Sequence, residues 1–443
     1  MKKIILYLSI SCALILSSSA AKAQMILDLN SCKAMAVDSN KQILAAKLLQ
    51  EKTVADKNAI RAKFLPQFSG YGMYYYTTNL LRYAYPGGNI PAMGMNIPIP
   101  PMNLDIDMAN TFTVGVSVKQ PVFMGLKIVS AYQMTKIGIE MSALNSKKTK
   151  SEVIVEVEDA YWTYVKTCQL VKASESFRET VDGVEKFVKN AVELGMATET
   201  DLLKVQVQLN NAKLLQSKAK NGKALAKMNL CSKIGLPLHA DIDVDKSEFE
   251  VVFNIDSITG AVTDRYDYQL LDKQTQLKHK QLALVRSDFL PQLGVMASYG
   301  YSNGLKLMDE KLLNSDSFSA IASLKIPIFS WGEGAYKIKS AKKEYEISMV
   351  EKEKLAEMMS LEQAKYKFAV TDAQYLVDLT KSSLKNAESN LKVSKDQYEL
   401  GMETLPNVLE AQTQWQKATS DYIEAIAEYR LSFTKYLKSI GQL

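Results

Sequence analysis

Histidine is nearly missing from this chain, with only His239 and His279 among 443 residues. The two lie far apart, and there is no His-Glu-x-x-His, no phosphate-cradling glycine loop and no nucleophile elbow, so the usual means of hydrolytic, phosphoryl and metal chemistry are lacking. His239 follows Gly-Leu-Pro-Leu in a loop and His279 lies on a lysine-rich helix face, which suits solvated side chains better than catalytic ones. No enzyme activity, cofactor or bound metal is expected. Cysteine is also scarce. Of four, Cys12 falls in the leader described next, and Cys32, Cys168 and Cys231 are an odd number, which allows at most one disulfide and excludes a disulfide scaffold. Beyond the N-terminus no stretch approaches the roughly 18 apolar residues that a membrane helix needs.

Charge of one sign is not in large excess. The formal net charge is +6, but Lys2, Lys3 and Lys22 sit in the leader, and the remainder carries 51 basic and 48 acidic residues. A nucleic-acid partner has no support in that balance. The leader has the layout of an export signal: two lysines, an apolar run from Ile4 to Leu16, and Ala21-Lys22-Ala23 as a small-x-small cleavage pattern. A signal peptide over 1–23 is therefore expected, with the mature chain starting at Gln24. Lipidation at Cys12 or Cys32 fits less well, because Cys12 shortens the apolar segment and Cys32 lies past the better cleavage site.

What the chain does contain is written twice. Phe64-Leu65-Pro66-Gln67 recurs as Phe289-Leu290-Pro291-Gln292, 225 residues on. Ser117-Val118-Lys119-Gln120-Pro121-Val122-Phe123 recurs as Ser323-Leu324-Lys325-Ile326-Pro327-Ile328-Phe329, and Leu194-Gly195-Met196 as Leu400-Gly401-Met402, both at 206 residues. The first copy must hold 19 extra residues between its two motif blocks. The expected division is a first repeat over 24–236 and a second over 237–443, each reading helix, strand, loop, strand, very long helix, turn, long helix.

Within the blocks the period becomes two. Phe112, Val114, Val116 and Val118 alternate with Thr113, Gly115, Ser117 and Lys119, and the second copy repeats the pattern from Phe318 to Lys325. Strands are expected at about 67–76, 112–120, 292–301 and 318–326, with the second strand of each pair stopping at a proline. Tyr74, Tyr75, Tyr76, Tyr299 and Tyr301 form an aromatic rim, as in a transmembrane β-strand, although a half-buried soluble hairpin would alternate as well. Between the pairs, no proline interrupts 126–194 or 336–400. Each such helix would rise about 100 Å. Apolar residues recur at coiled-coil steps: Val157, Tyr161, Tyr164, Cys168, then Phe177, Val181, Val184 and Val188 in one copy, and Leu361, Ala364, Phe368, then Leu384, Ala387, Leu391 and Tyr398 in the other.

The tips, at 194–198 and 400–404, have their own chemistry. Gly195 and Gly401 suit the left-handed position past a helix end. Thr198 is expected to cap the next helix with Asp201 completing a capping box, and Thr404 to do the same where Pro406 lies in a first turn. Four strands cannot close a barrel, and open edges cannot face lipid, so an oligomer is expected.

This ordered, doubled set resembles the TolC family of outer-membrane efflux proteins, from about Leu27 to Gly441. The resemblance implies a mainly α fold with a small β part: a homotrimer closing a 12-stranded transmembrane β-barrel in outer-membrane lipid and a 12-helix coiled-coil tunnel in the periplasm. It implies a channel that passes substrates from an inner-membrane transporter and a periplasmic adaptor. By position, Gly195, Met196, Thr198 and Asp201, with Gly401, Met402 and Thr404, would meet the adaptor. Where well-known members narrow the entrance with two aspartates and lock it with an arginine, this chain has Asn407, Glu410 and Glu403, so the arginine lock is in doubt. A structural or adhesive coiled coil without transport is the rival, opposed by the paired strands; a simple porin would need more strands in one chain. The Met93, Met95, Met102 and Met108 cluster in the longer loop raises thioether binding of Cu(I), against a plain surface loop, which is the expectation.

Overall fold

The computed structural model describes residues 25–78, 81–92, 94–247, 249–250, 258–307, 310–311 and 314–443. The expected signal peptide and Met93 lie outside them. The chain opens with β1 (Met25–Leu27), α1 (Leu29–Ser39) and α2 (Lys41–Ala62). Strands β2 (Gln67–Tyr75), β3 (Leu81–Tyr85), β4 (Gly88–Ala92), β5 (Met95–Ile99), β6 (Met102–Asp107) and β7 (Thr111–Met124) follow. Then come α3 (Lys127–Glu193), α4 (Glu199–Lys233), β8 (Ile242–Val244) and α5 (Tyr266–Ser287). The second half completes the order with β9 (Gln292–Asn303), β10 (Lys306–Leu307), β11 (Glu310–Lys311), β12 (Asn314–Lys325), α6 (Glu333–Glu399) and α7 (Leu405–Ser439). Corresponding helices have equal lengths: α2 and α5 have 22 residues, α3 and α6 have 67, and α4 and α7 have 35.

The residues group into two compact units, each drawn from both halves of the sequence. One comprises 50–142 and 272–351 and holds the main sheet, ordered β12-β9-β7-β2 and antiparallel throughout. Its outer strands, β2 and β12, each have one edge unpaired among the described residues. β7 does not stop at Pro121 as expected but continues to Met124, with a register irregularity between Pro121 and Phe123. A bulge is one of the few places where a residue without an N–H can sit within a ladder. β12 ends at Lys325, two residues short of Pro327.

The extra length in the first copy is not a plain loop. It is an antiparallel ribbon in which β3 pairs with β6 and β4 with β5. The pairing breaks at Pro86-Gly87 on one side and Pro100-Pro101 on the other, where donors are missing and Gly87 takes φ +82°. Met95 and Met102 are therefore strand residues.

The other unit comprises residues to 49, 143–271 and 352–443. Its larger core joins Val157, Tyr161, Tyr164 and Cys168 of α3 to Cys32 of α1, Leu230 and Cys231 of α4, and Ile426 and Tyr429 of α7. The three cysteines are buried free thiols. The seam expected in α3 is the one observed, but that of α6 holds only in its second half: Leu384, Ala387, Leu391 and Tyr398 are buried or half-buried, whereas Leu361, Ala364 and Phe368 are exposed and Val370, Ala373 and Val377 are buried instead. Glu158 is buried in an ion pair with Lys33 and a hydrogen bond from Thr434, which ties α1, α3 and α7 together.

Candidate functional site

At the end of α3 the chain reverses through a six-residue closure. Met196 N–H donates to the Ala191 carbonyl at 2.8 Å and Gly195 N–H to that of Val192 at 3.0 Å, with Gly195 at φ +73°. The end of α6 repeats it: Met402 N–H to Gln397 O at 2.8 Å, Gly401 N–H to Tyr398 O at 3.0 Å, and Gly401 at φ +74°. Both are Schellman closures, which satisfy carbonyls that a helix end would otherwise leave open.

The caps differ between copies. Thr198 Oγ accepts from Asp201 N–H at 3.2 Å and donates to Asp201 Oδ2 at 2.7 Å, so the return arm reaches the hydroxyl rather than the backbone N–H of a capping box. The Thr198 hydroxyl is the main cause that holds the Asp201 carboxyl below its ordinary range, against slight burial and with help from Lys204. Thr404 makes no side-chain cap bond, contrary to expectation. Pro406 removes one of the two N–H groups a cap could receive. Glu403 acts there instead, accepting from Thr404 N–H at 2.8 Å and from Asn407 Nδ2 at 2.6 Å. Those two bonds, in that order, lower its proton affinity.

Glu403, Asn407 and Glu410 are spaced four and three residues apart and so share one face of the turn and helix. Glu410 is exposed and accepts from Gln414 at 3.0 Å, with no lysine ion-paired to it among the described residues. The two tips also share a core, in which Val188 of α3 and Val205 of α4 pack with Leu405 and Val408 of α7 and with Tyr398 of α6. The Phe187 ring meets Tyr398 edge-on at 5.6 Å. Outside that core, Leu194, Met196, Leu400 and Met402 are about three-quarters exposed.

The main sheet has two unlike faces. Register puts Phe68 opposite Val118, Gly70 opposite Val116 and Gly72 opposite Val114, and continues to Tyr299 and Tyr301 of β9 and Phe318 of β12. Val114, Val116 and Phe318 are more than half exposed. On the opposite face one row crosses all four strands as Ser69, Ser117, Ser298 and Ser319, with hydroxyl contacts of 2.8 Å between the first two and 2.7 Å between the last two. Thr113 and Ser302 form another pair at 3.0 Å. In the next row the Tyr71 hydroxyl lies over Gly115 and Gly300, so close that a Cβ on either would come within 3.0 Å of it. This hydroxyl row was not singled out from the sequence. Its signal was present as serines at every second residue from Ser315 to Ser319. At the rim Tyr74 donates to Asn110 and Tyr301 to Asn314, each at 2.6 Å.

A sheet with one apolar and one hydroxyl-lined face, in a chain whose other main elements are very long helices, fits a membrane channel subunit. The family model for outer membrane efflux proteins matches residues 34–236 and 271–441, and the chain belongs to that family. It is 24% identical over 345 residues to the alkaline protease secretion protein AprF of Pseudomonas aeruginosa, covering 72% of this chain and 69% of that one. The fold is also that of the CmeC outer membrane channel of Campylobacter jejuni, at TM-score 0.72 and 18% identity, with 94% of this chain and 85% of that one covered. The open-state MtrE outer membrane channel of Neisseria gonorrhoeae matches at TM-score 0.70 and 16% identity, over 93% and 88%. The protein is an outer-membrane channel for efflux or secretion, reaching into the periplasm.

Proposed function

We propose that three copies close into one duct: a 12-stranded barrel in outer-membrane lipid and a 12-helix tunnel in the periplasm, each chain contributing two repeats. The observation that carries this is the open four-stranded sheet, apolar on one face and hydroxylated on the other. Each unpaired backbone group facing hydrocarbon costs several kcal/mol, so the β2 and β12 edges demand neighbours, and β12 of one protomer meeting β2 of the next supplies them. The apolar face then meets lipid and the hydroxyl face lines the lumen.

At the other functional region the paired tips receive a periplasmic adaptor, which couples the duct to an inner-membrane transporter. Gly195 and Gly401 set the turns, Met196 and Met402 supply exposed apolar contact, and Thr198, Asp201 and Thr404 border it. Glu403, Asn407 and Glu410 line the entrance constriction, with the charge carried by the two glutamates. The relative's name favours polypeptide secretion as one use, and small-molecule efflux is the other. The chain itself supplies no catalysis, cofactor or bound metal.

Light scattering of the purified protein in detergent, corrected for bound detergent, tests the closure. A trimer that dissociates only on heating is expected, and a monomer would overturn it. An adhesive coiled coil would leave planar bilayers unpermeabilised, whereas the duct gives discrete channels.

A further inference from the structure

Two lysines stand on the hydroxyl-lined face of the sheet. Lys119 of β7 lies opposite Gln67 and Met296, and Lys325 of β12 opposite Gln292. Both are exposed, and each shares its face with a serine two residues earlier, Ser117 and Ser323. No acid stands on that face of the four strands. The one carboxylate within them, Asp316, is on the apolar face and accepts from the Tyr299 hydroxyl at 2.7 Å. Of the acids that flank these strands in sequence, Asp288 pairs with Lys127 and Glu333 with Lys337. Neither Lys119 nor Lys325 has an ion-pair partner among the described residues.

We propose that this face is an anion-binding sleeve whose ligands are polyanions, molecules bearing several carboxylates or phosphates. The proposal rests on the closed trimer, in which three copies bring six ammonium groups around one lumen. Unpaired like charges facing one another in a narrow space gain nothing for stability; they repel. What they do is hold a multivalent anion, and serine O–H groups beside each of them donate to its oxygens. Sequence pattern places them symmetrically, since Lys119 and Lys325 occupy the same point of the two repeats.

The test uses the full-length trimer in planar bilayers at low salt, with inorganic triphosphate added from the extracellular side. Block of the open channel is expected. Lys119→Gln with Lys325→Gln should raise the half-blocking concentration by about tenfold or more, and Lys119→Arg with Lys325→Arg should retain the block. Equal block in the Gln and parent channels overturns the sleeve. Should the Gln double variant fail to assemble, the parent decides alone: a parent channel insensitive to triphosphate also overturns it. Failure of the parent to form any channel would instead refute the duct.

Discussion

The two hairpin tips can be disabled by degrees, because the structure separates the causes of strain. An added Cβ at Gly195 or Gly401 meets nothing within 4 Å, so a substitution there costs backbone energy alone. At φ +73° and +74°, alanine costs about 1–2 kcal/mol per tip, and asparagine less, since its short side chain tolerates the left-handed region. Proline is worse on two counts: its ring fixes φ near −65°, and it removes the 3.0 Å bond from Gly195 to Val192 or from Gly401 to Tyr398. A lost hydrogen bond adds about 1 kcal/mol, and the misfit of φ means the turn must open. The damage should stay local, because the sheet strands and the tips belong to different compact units. Transport by a strain lacking the native gene should therefore fall in the order Asn, Ala, Pro at both positions together. The amount of heat-resistant trimer in the outer membrane should stay the same. Normal transport by the assembled Gly195→Pro, Gly401→Pro double variant would refute the assignment of the tips as the docking site.

The caps predict an asymmetry: Thr198→Ala should cost about 1 kcal/mol in thermal or denaturant stability of the hairpin, while Thr404→Ala, which loses no cap bond, should cost almost nothing, and equal losses would show the caps to be alike. On β7, Val116→Lys should cost about 2–4 kcal/mol per protomer near the bilayer midplane and prevent assembly, whereas its neighbour Ser117→Lys should assemble; the reverse, read by heat-modifiable gel mobility, would exchange lipid and lumen faces. Glu410→Ala should weaken cation preference and block by multivalent cations from the periplasmic side at low salt, and single-channel recordings unchanged from the parent would remove Glu410 from the pore.

Most of the helical frame was legible because its signals are local and doubled. The long helices fall within a few residues of the proline-free stretches, and the left-handed glycines follow from Leu-Gly-Met at matching offsets. The errors share a cause, which is that they depended on partners the pattern does not name. Pro121 looked like a strand end, but the bulge beside β9 admits it. Thr404 looked like Thr198, yet Pro406 and Glu403 changed which donors and acceptors were free. The added segment of the first copy looked like a loop because its prolines interrupt any run, whereas the ribbon places them between its ladders.

Part of the apolar surface of α6 is left uncovered within the chain. Leu361, Phe368 and Tyr375 are about 70% exposed, although the heptad steps mark the first two as seam positions. In α3 the same kind of seam is buried within its own protomer by α4 and α7. The first half of the α6 seam, unlike its second half at Leu391 and Tyr398, is left for a surface outside the chain. The sheet makes the same statement in backbone terms, with two paired strands inside and an open edge on each side. Side chains and backbone thus each leave work for another surface, and the proposed ring of identical protomers would satisfy both, since each exposed face would then meet a neighbour. Replacing Leu361 and Phe368 by serine should accordingly leave the protomer's secondary structure intact by circular dichroism and lower the temperature at which the oligomer dissociates. An unchanged dissociation temperature would mean that this stripe faces something other than a second copy.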